Sequence, residues 1–102
     1  MQKTLKIFIQ NLEDNRFTDA HEVMEAQWKI YKKANHPLTK LLKGYINGAT
    51  AFEIIKRGNV SGANRLWTVY EKYLPLLQND TENYPLFLEA DELLRKLKKD
   101  RL

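Results

Sequence analysis

The sequence predicts an all-α fold, a single domain built as a five-helix antiparallel bundle. Three observations carry that expectation. Apolar residues recur at spacings of three and four nearly everywhere, which is the signature of one helix face. No stretch alternates apolar and polar residues as a half-buried strand does, and glycine occupies only four positions. The breaks between helical stretches are short, and short breaks between long helices make antiparallel neighbours. A helical solenoid is disfavoured, because no repeat of its usual length recurs along the chain.

The first helix, near residues 3–13, carries Leu5, Phe8, Ile9 and Leu12 on one face and ends in the polar run Glu13-Asp14-Asn15-Arg16. A second helix, near 17–34, starts between Asn15 and Thr18, with one of those two residues as its cap, and has the stripe Ala20, Val23, Met24, Tyr31, with Gln27 as its polar exception. His36-Pro37 breaks the chain, since the residue before proline is pushed out of helical geometry. Pro37 suits the first position of the third helix, near 37–57. This helix is apolar over most of its circumference and belongs at the centre: Leu38, Leu41, Leu42, Tyr45, Ala49 and Phe52 form a broad face. Gly44, Gly48 and Ala51 lie beside that face, where small residues permit a close crossing. Gly58-Asn59 stops the helix with a left-handed residue. The fourth helix, near 61–78, has the cleanest repeat, Ala63, Leu66, Trp67, Tyr70, Tyr73, Leu74, Leu77, and Pro75 kinks or ends it. After a polar loop, a last helix near 86–99 runs through Leu86, Leu93, Leu94 and Leu97.

Composition narrows the function classes. At 102 residues the chain has room for one real core and not for two. The absence of cysteine excludes a disulfide scaffold, a thiolate zinc site and a cysteine nucleophile, and fits a cytoplasmic location. The apolar stretch in MQKTLKIFIQNLEDN is too short and too interrupted for a signal peptide, and no window is apolar enough to span a membrane. The net charge of +4 comes from 17 basic and 13 acidic residues. Basic residues gather at Lys29, Lys32, Lys33, Lys40 and Lys43, and again in the tail from Arg95 to Arg101. Nucleic-acid binding is disfavoured, because the aromatics sit on core stripes instead of beside these charges.

The second helix holds the residues best suited to chemistry. His21 and Glu25 are four apart and therefore meet on one face, with Trp28 and Lys32 in the same strip at the edge of the core. Glu22 points toward Lys29 and Lys33. An imidazole beside a carboxylate binds a divalent metal or moves a proton. HE-xx-E is not the HE-xx-H zinc signature, and the same pair serves equally well as a stabilising contact. In the third helix Glu53 interrupts an apolar flank and needs a partner: His21, Tyr70 or an arginine. Antiparallel packing of helices two and three brings Glu53, or Tyr45, toward His21. Asn47 falls on a solvent-facing stripe. The turn through Arg57, Gly58, Asn59 and Gly62 has the glycines and helix start of an anion cradle, but lacks the lysine-hydroxyl ending and preceding strand of a P-loop. A helix stop followed by a helix start accounts for both glycines.

Three blocks, in order, resemble a known family. They are Phe17-x-x-Ala20-His21-Glu22-Val23-Met24-Glu25-x-x-Trp28, then Leu41-Leu42-Lys43-Gly44-Tyr45-Ile46, then Arg57-Gly58-Asn59-x-x-Gly62-Ala63. Together they resemble domain of unknown function 309, over about residues 16–74. The resemblance implies a small all-helical prokaryotic protein and no established activity, substrate or cofactor. Two positions depart from the family pattern: Asn47 stands where glutamine is common, and Glu53 where relatives can have histidine.

Two functions are therefore expected to compete. One is a polar site of His21, Glu25, Trp28 and Glu53 that binds a metal or small ligand, with His21, Glu25 and Glu53 as the metal candidates. The other is a helical interaction module in which these residues only maintain packing. A homodimer is expected, on the premise that helices three and four expose more apolar surface than one chain can cover.

Overall fold

The structure, a computed structural model, describes all 102 residues and consists of five α-helices and one 3-10 turn, with no strand. The helices are α1 (Gln2–Glu13), α2 (Phe17–Lys33), α3 (Thr39–Ile55), α4 (Val60–Tyr73) and α5 (Tyr84–Arg101). Helix α3 is the central element, packed chiefly between α2 and α4, while α5 closes the bundle against α1 and α3. Nine residues of α3 are buried, more than in any other helix, as its all-round apolarity requires.

Three of the four connections begin with the same local device. Asn15, Asn35 and Gly58 each take a positive φ (58°, 52° and 80°) just past a helix end. At Asn15 the following amide, Arg16 N, bonds back to Asn11 O at 2.8 Å, and Asn15 N bonds to Leu12 O at 3.1 Å. The same pair of bonds recurs at Asn35 and at Gly58, ending α2 and α3. This left-handed cap satisfies carbonyls that the helix end would otherwise leave open. Asparagine serves at two of the sites because its short polar side chain tolerates the left-handed region.

Helix boundaries shift where local chemistry intervenes. Pro37 does not open α3. It lies in a turn in which His36 Nδ1 accepts from Leu38 N (3.0 Å) and His36 O accepts from Thr39 Oγ1 (2.7 Å), so the helix starts at Thr39. Helix α4 stops at Tyr73, and the segment Leu74–Leu76 continues as a 3-10 turn around Pro75, which has no amide to donate. Helix α5 starts at Tyr84, two residues earlier than expected, with Pro85 in its first turn. Its buried face is Phe87, Ala90, Asp91, Leu94 and Leu97; Leu86 and Leu93 are only half-buried.

The core is aromatic at its centre. Tyr45 of α3 contacts the rings of Phe8, Tyr70 and Phe87 at centroid distances of 6.1, 5.2 and 5.4 Å. Trp67, core as its stripe predicts, packs against Phe52 and Tyr70. The small-residue side of α3 does allow a close crossing: a Cβ on Gly44 would stand 3.1 Å from Tyr73 Cβ, and one on Gly48 would stand 3.3 Å from Tyr70 Cγ. The broad face of α3 is thus covered within the single chain. The large apolar residues that remain exposed, such as Ile7, Ile30, Val60 and Leu88, come from four different helices. No helix is long and apolar enough to cross a membrane.

Candidate functional site

Helices α2 and α3 run antiparallel, so the first turns of α2 lie beside the last turns of α3. That register brings His21 to Glu53. On its own helix His21 Nε2 makes a 2.6 Å hydrogen bond with Glu25 Oε2. Across the helix pair, His21 Nδ1 lies 3.6 Å from Glu53 Oε2, too far for a hydrogen bond. The imidazole is thereby bracketed by two carboxylates, one from each helix.

Each carboxylate has a further basic partner four residues along the chain, Lys29 on α2 and Arg57 just past the end of α3. Arg57 donates to Glu53 Oε1 at 3.2 Å, and Lys29 Nζ lies 3.7 Å from Glu25 Oε1. Solvent access differs between them: the Glu53 side chain is 15% exposed and that of Glu25 is 35% exposed. The remaining oxygen, Glu53 Oε2, is fully buried and has no hydrogen-bond partner. No other buried side-chain oxygen or nitrogen in the protein is left without one.

The electrostatics assign the hydrogens. The His21 hydrogen bond holds the Glu25 carboxyl below its ordinary value of 4.5; partial burial opposes this, and the charges of His21, Lys29 and Lys43 reinforce it. Ionised Glu25 only accepts, so His21 Nε2 carries a hydrogen. In the neutral ring, Nδ1 then presents a lone pair toward the lone pairs of Glu53 Oε2. Two acceptors facing one another need a positive centre between them. A second proton on the imidazole supplies one; a bound cation supplies another.

The other expected residues fall into two groups. Glu22 joins His21, Glu25 and Lys29 in lining an open polar recess, although its helical angle points it away from His21. Trp28 does not line that recess. It packs against the core, with Lys32 Nζ and Lys43 Nζ over its ring at 4.9 and 4.5 Å. Tyr45 is also separate from the cluster, buried and donating to Phe87 O at 2.8 Å. Asn47 is half-buried and donates to Lys43 O, one turn back on α3.

At the turn after α3, Asn59 Oδ1 accepts from Gly62 N at 2.8 Å and so caps α4. A Cβ on Gly62 would come within 2.6 Å of the Asn59 amide, so a larger residue there would displace the capping side chain. Gly58 has the positive φ of the helix stop, and Arg57 is turned to Glu53. The motif Arg57-Gly58-Asn59-x-x-Gly62 thus ends one helix, starts the next and supplies the cation for Glu53.

One polar cluster escaped the sequence reading. Asp91 of α5 is buried and accepts from Tyr70 Oη at 2.5 Å and from Arg95 Nε at 3.0 Å. Burial, then the neighbouring Tyr45 and the Asp91 charge, pushes the Tyr70 hydroxyl well above its ordinary 10.0. The signal was present: Phe87, Ala90, Asp91 and Leu94 share one helical stripe.

No curated protein and no solved structure matches the chain. A family match does exist, to the domain of unknown function (DUF309), over residues 5–66. That span runs from α1 into α4, includes the whole His21–Glu25–Glu53 cluster and the Arg57–Gly62 turn, and leaves out Tyr70 and Asp91. The match covers more than half of the residues, and the chain belongs to the DUF309 family.

Proposed function

We propose that the protein binds a small cationic ligand at the His21–Glu25–Glu53 cluster, with a divalent metal ion as the simplest occupant. The observation that carries this reading is the buried, unpartnered Glu53 Oε2 facing His21 Nδ1. Buried polar atoms almost always have partners, and an orphan calls for a missing one. A separation of 3.6 Å between a nitrogen and an oxygen suits two ligands of one ion, each bonded at about 2.0–2.2 Å. Glu25 is engaged at the opposite nitrogen of His21 and no further histidine or carboxylate completes the set, so water fills the other positions and affinity is modest.

A second reading has its own support. Arg57 and Lys29 already stand at the other oxygens of both carboxylates, and His21 bridges α2 to Glu53 of α3, an arrangement that serves a packing module without any ligand. Thermal melts with Zn²⁺ or Mn²⁺ separate the two. Metal binding raises the wild-type melting temperature and leaves that of Glu53→Gln and His21→Gln unchanged. If no metal shifts the wild type, and His21→Gln costs about 1–3 kcal/mol, the cluster is structural.

A further inference from the structure

The positive charge of this protein is segregated. Between Glu25 and Glu53 the chain holds five lysines and no acid, which leaves twelve basic and thirteen acidic residues for everything else. The whole of the +4 net charge therefore belongs to the second half of α2, the first part of α3 and their connection. Folding concentrates it further. Lys32 from α2 and Lys43 from α3 converge on the Trp28 ring. Lys32 also lines, with Lys40 and His36, a recess of about 270 Å³ that contains no hydrophobic residue. Of the five lysines only Lys29 has an ion pair, with Glu25; Lys32, Lys33, Lys40 and Lys43 have none.

We propose that this face docks the phosphate backbone of a nucleic acid. Four of its five lysines have no ion pair within the chain, and they are set around a pair of helices instead of a loose tail. The recess beside them is edged by Lys32 and Lys40, whose ammonium groups suit an oxyanion. A membrane surface requires an apolar face that sinks below the headgroups, yet Ile30 is the only large apolar side chain of α2 that is strongly exposed. With Trp28 covered by two lysines, contacts to phosphate dominate over base stacking. Binding is accordingly insensitive to sequence and steep in salt.

The test is fluorescence anisotropy of a labelled single-stranded oligothymidylate titrated with the full chain. Binding should weaken roughly 20-fold as salt rises from about 50 to about 200 mM, as the release of counterions from three phosphates requires. Lys32→Glu/Lys43→Glu should weaken it by at least ~10-fold, and Lys32→Gln/Lys43→Gln by less, in chains whose circular dichroism is unchanged. Lys96→Glu/Lys99→Glu, on the C-terminal turns of α5, should leave binding near the wild-type level. Absence of wild-type binding at low salt overturns the proposal, as does an equal loss in the α5 variant. So does binding of anionic phospholipid vesicles or polyglutamate in place of the oligonucleotide.

Discussion

Tyr70 of α4 donates a hydrogen bond to Asp91 of α5, joining the two helices through a buried carboxylate. Arg95, one turn along α5, supplies the compensating charge at 3.0 Å. Removing the acceptor is costlier than removing the donor. Tyr70→Phe leaves Asp91 paired with Arg95 and should cost about 1 kcal/mol, whereas Asp91→Ala orphans a buried hydroxyl and should cost about 2–3 kcal/mol. Urea titrations of both variants check the order; equal costs would mean that Arg95 alone does not satisfy Asp91.

The two core tyrosines set the alkaline limit. Burial, then the Asp91 charge, raises the Tyr45 hydroxyl, and Tyr70 is raised by burial and by Tyr45 and Asp91. An unfolded tyrosine ionises near 10.0, so above that pH the folded chain binds more protons than the unfolded one. This contribution is fully present below pH 10.0 and declines as pH rises beyond it. The urea midpoint should fall above that pH, and more shallowly in Tyr70→Phe.

Acid acts in the opposite direction through Glu25. Its folded value lies below the ordinary 4.5, chiefly because of the His21 hydrogen bond. The unfolded chain takes up this proton first as pH falls, so the contribution is intact above pH 4.5 and is lost as pH drops through the lowered value. Glu25→Gln should flatten the stability profile in that window. An unchanged profile would show that the 2.6 Å bond with His21 does not persist in solution.

Gly44 tests the α3–α4 crossing. Alanine is the better helix former by up to ~1 kcal/mol, but its Cβ would stand 3.1 Å from Tyr73 Cβ, an atom bonded directly to backbone and unable to rotate away. Overpacking typically costs about 1–3 kcal/mol. Gly44→Ala should therefore destabilise by about 1 kcal/mol in a thermal melt. A stabilised variant would mean that α4 moves aside freely.

Periodicity alone made the helices legible, because burying one face is a local pattern that each segment carries in its own residues. It placed Trp67 and Tyr45 in the core, put His21 against Glu25, and located the helix stop at Gly58. The start of α3 was missed by two residues, since the turn at Pro37 is held by the His36 side chain, a choice no propensity encodes. The buried face of α5 was legible at Leu94 and Leu97 but not at Asp91, for a related reason: an aspartate looks like a solvent position until Tyr70 and Arg95 are known to reach it. Helical spacing made the first contact of His21 certain to be near Glu25. Whether its other nitrogen met Glu53, Tyr45 or solvent depended on the register of α2 against α3, and tertiary packing chose Glu53. Lysine counts likewise showed a basic stretch, but the convergence of Lys32 and Lys43 on Trp28 exists only because two helices bring them together. Contacts within a turn are written in spacing; contacts between helices are settled by how whole faces pack.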